Sequence, residues 1–491
     1  MTGSKTLNID ASEFLKGMSS SGEISDGGFS PAGARGFNMI NTPGILYAPA
    51  QAADVDTDNT LAGNGEIIAT SPDHAAFSGS HRLCVAAASN GDGTFHRFNG
   101  TKLVLADDAN TPDTTNNYEK FYTDIINFAA ETYVTSKEKI TRWTSTATFD
   151  VSFYTFAAHA SSALAPHPAL VYLNNAFYGD VNVLLKQTAA AGTPTAVLTL
   201  SVDNVITALG IDPGTGRMLI ATTSSLNVND TIPAIHRLYW YDGSKATPDR
   251  VLIVDDMITG FYAHGGNVYV AYGGMYLGYL TGSGITFLRK LKNSSFNNLI
   301  FPTKHSFAHI GQTLMVVDGS EILFFGEVTR GSKIFYYGYK NFITGGAVSS
   351  TAFKAICPLA NSGTAQSIGI SVATENFFSL DITSVASTDS FILETNFYQF
   401  PRPVYLRRVE LHFVSAMSTG NIVLTYKDER RNGLTLTSEW GSGSFRVHSY
   451  VGFGGDDSSD SNKVTDVQFT LTLASTNPGL KRMIVYWDPA E

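Results

Sequence analysis

The chain has 491 residues and a formal net charge of −10. Charged residues make up 15% of it, against roughly 25% in an ordinary soluble domain, so much of the polar surface is Ser, Thr, Asn and Gly. That balance excludes a basic reader of nucleic acid, which needs cationic surface to displace counterions from phosphate, and no apolar run approaches the ~18 residues of a membrane-spanning helix.

The acidity is local: residues 1–135 carry 7 Lys+Arg and 16 Asp+Glu, a net of −9, whereas residues 402–491 carry 10 of each. Solubility is the plain reading of this, and an acidic wall along a lumen that repels passing DNA is the sharper one. Sparse charge favours broad contact with other subunits over a free monomer. The opening MTGSKTLNIDASEFLKG has no continuous apolar stretch, so neither a secretory signal nor a membrane anchor is expected.

Residues 1–36 read as an extended N-terminal arm. Asp10 followed by Glu13 has capping-box spacing and predicts a short helix near Ala11 to Met18. The run SSSGEISDGGFSPAGARG is too small and polar to order itself, so a neighbouring subunit is expected to hold it. Residues 37–60 lead into the repeats. Asp54, Asp56 and Asp58 alternate as in a calcium loop, but Asn59 stands where that loop needs Gly and Gly65 where it needs a bidentate Glu, so a turn is favoured.

Between residues 37 and 400 one grammar recurs. VITALGID, Pro213-Gly214-Thr215-Gly216, RMLIATT, HRLYWYDG and RVLIVDD form one unit; ITGFYAH, Gly265-Gly266-Asn267, VYVAYGG, YLGYL and ITFLRKL form the next. Short β-branched and aromatic runs closed by Gly, Pro and Asn are strand and hairpin signals, and four in succession make an antiparallel blade. One blade cannot bury both faces alone, so neighbours must cover it, which predicts an irregular six- or seven-bladed β-propeller. The earlier units are 65–106, 124–155 and 169–200. The later ones are NLIFPT, TLMVVDG, EILFFGEV, KIFYYGY, then FKAICPL, SIGISVA, NFFSLDI, SFILETNFY. Cys84 and Cys357 lie in two of these strands and read as buried free thiols.

At Phe400-Pro401-Arg402-Pro403 the pattern changes, and the prolines predict a boundary. Beyond it, VYLRRVELHFV puts Val409, Leu411 and Phe413 on one face and DVQFTLTLA does so with Val467, Phe469, Leu471 and Leu473. With NIVLTYK, FRVHSY and MIVYW these predict a C-terminal β-sandwich over 401–491. GGDDSSDSN at 454–462 reads as a solvated turn.

The chemistry-bearing residues form no motif that assigns a catalytic, cofactor-binding or metal residue. There is no G-x-S-x-G, phosphate-cradling Gly loop or H-E-x-x-H. His305 and His309, four apart in an extended segment, would stand ~13 Å apart, too far to share a metal. His159 and His167 flank a small-residue loop and read as loop residues. Tyr239-Trp240-Tyr241 and Phe335-Tyr336-Tyr337 could stack sugar rings, but packing between blades is favoured. Asp212, Asp255, Asp256 and Asp318 are the candidates for the converging carboxylates of a glycosidase, and Asp at a strand end is also a routine turn former.

A Gly/Ser-rich arm, an irregular propeller with units such as VITALGIDPGTGRMLIAT, and a terminal sandwich opening FPRPVYLRRVELHF together resemble virion structural proteins of tailed bacteriophages, of the tail, nozzle or neck. The resemblance is one of architecture and carries over no site residue. It implies a non-enzymatic structural subunit, assembled in the host cytoplasm into a symmetric oligomer. Its partners would be copies of itself, other virion proteins and, in passing, DNA in an acidic lumen. The alternatives are a glycan-binding adhesin or receptor-binding tip and, after it, a glycosidase.

Overall fold

The computed structural model describes residues 5–14, 29–35, 45–46, 53–71 (less 59 and 64), 82–105 (less 89 and 100), 118–156 (less 146–147), 165–226, 233–291, 301–340 (less 311–312, 320 and 328–332), 353–381 (less 361–365 and 373–375) and 391–490 (less 430–433, 454–462 and 474–478). Seven groups of four antiparallel strands follow one another: this is an all-β, seven-bladed β-propeller. Blade 1 is Glu66–Thr70, Arg82–Ala87, Gly93–Phe98 and Leu103–Leu105; blade 2 begins at Ile125, blade 3 at Ala169, blade 4 at Val205, blade 5 at Ile258, blade 6 at Phe307 and blade 7 at Phe353.

The first strand of each blade is the innermost, which is why these strands read as continuous apolar runs and not as alternating ones. In Val205–Asp212 six consecutive residues are buried. Outer strands are largely exposed: in Arg250–Val254 Val254 alone is buried. The cores lie between blades, not within them: Tyr172, Phe177, Leu184 and Leu198 of blade 3 pack on Ile206, Met218, Ile220 and Tyr241 of blade 4, and blades 4 and 5 share a separate cluster around Leu219, Trp240, Phe261 and Val270.

Ring closure differs from the sequence expectation. Among the described residues blade 7 takes three strands from its own stretch, and its outer strand is Ala53–Asp54, antiparallel to Asn376–Asp381. Val55 then accepts from Leu103 N of blade 1 and donates to Phe377 O of blade 7, at 2.8 and 3.1 Å. Its side chain sits in one cluster with Cys84 and Cys357, both buried free thiols. The segment expected to complete blade 7, around Phe391–Thr395, pairs instead with Lys463–Leu473, where Leu393 is fully buried. Blade 6 is also corrected. Its inner strand is Phe307–Ile310, and the stretch ahead of it, Phe301 to Thr303, is not a strand but leads through Pro302 into a turn of 3-10 helix, Lys304–Ser306.

The C-terminal strands hold together around Tyr398–Ser418, which is 21 residues long and runs through the prolines without a break. Its pairing with Lys463–Leu473 skips from Gln399 to Val404, so Pro401 and Pro403 occupy the stretch where the register shifts and no ladder amide is required of them. Further along it pairs with Leu480–Pro489 on one side and Ser444–Val451 on the other. Val409, Leu411, Phe413, Val467, Phe469, Leu471 and Leu473 are all buried, on the faces the alternation assigned to them. Their cluster runs on without interruption into Met315, Phe324, Ile356 and Ile370 of blades 6 and 7.

The first residues are not a free arm. Lys5–Ile9 pairs antiparallel with Leu480–Pro489 of its own chain, from Lys5↔Trp487 to Ile9↔Met483. Among the described residues the helix covers Ala11–Phe14, with Phe14 N bonded to Asp10 O and its ring fully buried in the C-terminal core. Phe29–Arg35 lies between blade 6 and Phe391–Thr395, antiparallel to the latter. Residues 15–28 and the acidic loop 454–462 lie outside the described residues.

Candidate functional site

The seven inner strands surround an axis, and that axis is filled by the chain itself. The turn Lys304–Ser306 reaches across it from blade 6, and its side chains meet Asp124, the residue just ahead of the inner strand of blade 2. Lys304 Nζ lies 3.0 and 3.2 Å from the two Asp124 oxygens and donates to Ala169 O of blade 3 at 3.1 Å. His305 Nε2 lies 2.9 Å from Asp124 Oδ1. The remaining acceptor positions of Asp124 take the amides of Ile125 at 2.8 Å and Ala169 at 2.9 Å. Blades 2, 3 and 6 are thereby joined at one carboxylate.

The protonation states follow from the partners. Thr70 N of blade 1 donates to His305 Nδ1 at 3.4 Å, so Nδ1 carries no proton and Nε2–H donates to Asp124. Burial pushes the His305 ring down from its ordinary value, against the pull of Asp124. Burial opposes ionisation of Asp124, yet Lys304, His305 and the Ala169 amide together hold its carboxyl well below the usual carboxylate range. An Asp–His pair invites comparison with a nucleophile-activating relay, in which the second ring nitrogen takes a proton from Ser or Cys. Here that nitrogen already accepts from a backbone amide, and Asp124 has no lone pair left to act as a base. The arrangement is a clasp.

Beside the clasp lies a cavity of about 30 Å³ whose lining includes Lys120, Phe121, Asp124, Thr207, Thr303 and Lys304. Burial, with Lys354 nearby, pushes Lys120 down to about 7, while Glu66 opposes the shift; Glu66 itself is paired to Lys354 at 2.9 Å. The floor is set by Gly260, where a Cβ would stand 2.7 Å from Lys304 N and 2.8 Å from Thr303 C. Gly260→Ala therefore pushes on backbone, not on a movable side chain. It is expected to cost about 1–3 kcal/mol and to displace the turn, read by urea unfolding and by loss of protection of the Ser306 amide.

The residues singled out in the sequence are dispersed. Asp212 accepts from Gly214 N at 2.9 Å, Thr215 Oγ1 at 2.7 Å and Trp240 Nε1 at 3.0 Å, holding the Pro213–Gly216 turn. Asp255 and Asp256 lie in the connection from blade 4 to blade 5, and Asp318 ends a strand of blade 6. None of the four lines the axial cavity. Asp56 accepts from Thr60 N, Thr60 Oγ1 and Leu61 N at 2.8, 2.6 and 3.0 Å, and Asp58 pairs with Lys102, so this triplet shapes a turn. Among the described residues no three His, Cys, Asp or Glu side chains are placed to hold a metal.

The histidines separate. His305 belongs to the clasp, while His309 Nδ1 meets Tyr262 OH at 2.7 Å and its ring stacks on His264 at 4.2 Å. His167 lies in the connection ahead of the inner strand of blade 3, as expected, but it does not face solvent. It is buried, stacks on Phe156 at 3.7 Å, and lies against Gly179 O and Lys137 O, tying blade 2 to blade 3. Trp240 and Tyr241 are buried, Trp240 under the Arg250 guanidinium at 4.4 Å. His159 and the side chains of Phe335, Tyr336 and Tyr337 lie outside the described ones.

No helix among the described residues is long and apolar enough to cross a membrane. No protein family matches the chain, and no curated protein does. Solved structures with a similar course include a GH74 enzyme of Niastella koreensis (10% identity, TM-score 0.40), with 70% of this chain covered and 58% of the enzyme, so the chain spans under two thirds of that protein. They also include the N-terminal domain of Nup159 (7% identity, TM-score 0.41, 74% of this chain and 98% of that one) and the WD40 β-propeller domain of Doa1 (9% identity, TM-score 0.40, 68% and 97%).

Proposed function

We propose that the protein is a non-catalytic structural subunit of a tailed-bacteriophage particle, a rigid disc that assembles with copies of itself. The observation that carries this reading is the rim of blade 4. Its outer strand, Arg250–Val254, exposes Val251 at 54% and Ile253 at 72% on one face of an unpaired edge. Soluble chains protect such edges with charge, bulges or a cover, and an apolar one is a contact surface. Sparse surface charge supports the same reading, as does a propeller axis filled by Lys304 and His305, which leaves any DNA lumen to lie between copies and not through one. In this proposal the C-terminal strands form a β-sandwich, with Tyr398–Ser418 passing from one layer to the other, and supply a second contact. Fusion of its core to that of blades 6 and 7 makes the disc and the sandwich move as one.

The native mass of the full chain tests this. A closed ring is expected for the wild type. Val251→Lys with Ile253→Lys, both at exposed positions that leave the fold intact, is expected to give the monomer. A wild-type chain that stays monomeric at high concentration overturns the proposal.

A further inference from the structure

Thr207 and Thr259 hold equivalent places in neighbouring blades. In each inner strand the pairing skips one residue, between Ile206 and Ala208 and between Ile258 and Gly260, and the extra residue is a threonine on the wall of the axial cavity. A bulge re-aims a side chain in just this way. Thr259 Oγ1 donates to Pro302 O at 2.8 Å. Thr207 Oγ1 has no hydrogen-bond partner among the described residues, although the residue is 3% exposed, and Thr303 Oγ1 on the crossing turn, 5% exposed, faces only the Ser306 amide of its own turn and has no acceptor for its proton among them. An unmade buried hydrogen bond costs ~1–3 kcal/mol, so an unpartnered hydroxyl on a residue of the cavity wall points to an occupant.

Charge says which kind. Asp124 is saturated and balanced by Lys304, Glu66 is taken by Lys354, and His305 is neutral. Lys120 makes no ion pair among the described residues, which leaves one cation uncompensated on the wall. Water would satisfy the hydroxyls and leave that charge unbalanced; a metal cation would face two ammonium groups. The cavity of about 30 Å³ has room for roughly two waters, hence for one small ion. We propose that the axial cavity binds a small monovalent anion of halide size, held by the Lys120 ammonium and the hydroxyls of Thr207 and Thr303.

Binding is expected to take up a proton. Lys120 is pushed down to about 7, among Lys354, Lys304, Glu66, Asp124 and His305, so the anion is held more weakly as pH rises above 7. The test uses the full chain in sodium bromide and in sodium gluconate at equal ionic strength, at pH 6 and pH 8.5. The unfolding midpoint is expected to rise with bromide and not with gluconate, and to rise more at pH 6. A crystal grown in bromide is expected to show an anomalous peak beside Lys120 and Thr207. Thr207→Val is expected to weaken bromide about tenfold, the loss of one hydrogen bond to an ion, without lowering the midpoint in gluconate; Thr207→Ser keeps the hydroxyl and the response. Equal midpoints in the two salts, a cavity holding water alone, or an undiminished response in Thr207→Val each overturn the proposal.

Discussion

Asp124→Asn is expected to cost about 3–5 kcal/mol of folding stability at neutral pH, the magnitude found when one partner of a buried ion pair is removed and the other stays. The side chain keeps its size, so packing is not the cause. Asp124 takes five contacts from four donor groups through two oxygens, and an amide replaces one of those oxygens with a donor aimed at other donors. Lys304 keeps Ala169 O and one amide oxygen as acceptors but loses its counter-charge. Lys304→Met removes the other partner, and the double variant is expected to recover part of the loss, since no charge then stays unpaired. The pH dependence has a definite sign. The folded carboxyl is held below its ordinary value of 3.8, so the contribution is full above that value and is lost as pH falls through the folded one. The gap between wild type and Asp124→Asn is therefore constant at neutral pH and narrows only in strong acid. Urea unfolding with an unchanged m-value and a cost under about 1 kcal/mol would remove the clasp as a source of stability.

The clasp could not be read from local pattern, because Asp124 and Lys304 are 180 residues apart and each looks like an ordinary charge beside a strand. Placement gives no signal either: DIINF and KHSFAHI put charge or histidine just ahead of an inner strand, but so do Asp203-Asn204 in blade 4 and His167-Pro168 in blade 3. The blades themselves were legible, since Pro213-Gly214-Thr215-Gly216 and Gly265-Gly266-Asn267 punctuate runs of uniform length. Ring closure was not. The strand that completes blade 7 is Ala53–Asp54, two residues long, far too short to carry a periodicity of its own. SFILETNFY has a full strand pattern and was drawn to the vacant place, although its burial belongs to the C-terminal core. The prolines at 401 and 403 misled for a related reason: they mark a shift of register inside a strand as readily as its end. The paired threonines were visible as I-T-A and I-T-G in successive blades, yet only the skipped pairing explains why a polar residue sits in each apolar run.

Acid is expected to unfold the chain well before its carboxylates are fully protonated, because three histidines of the propeller are buried in the neutral form. Burial pushes His96 down to about 3 and His167 to about 4 from an ordinary 6.5, and it lowers His305 as well. The carbonyls of Gly179 and Lys137 favour the charged form of His167 but do not overcome its desolvation. The folded chain thus refuses protons that the unfolded chain accepts below pH 6.5, so stability is complete above that pH and declines as pH falls. At pH 4 the penalty is about 3 kcal/mol for each of His96 and His167, from the separation between folded and unfolded values. Against a total of roughly 5–15 kcal/mol for a folded domain, losses of that size bring the transition to between about pH 4 and 5. The three rings act at different seams: His96 within blade 1, His167 between blades 2 and 3, and His305 on the axis. The propeller is therefore expected to open as a whole and not at one blade. Far-ultraviolet circular dichroism against pH at low urea checks this, and His167→Gln, which cannot take the proton, is expected to flatten the slope between pH 6.5 and 4. A stability that does not change from pH 7 to pH 5 would show that these rings already carry their protons in the folded chain.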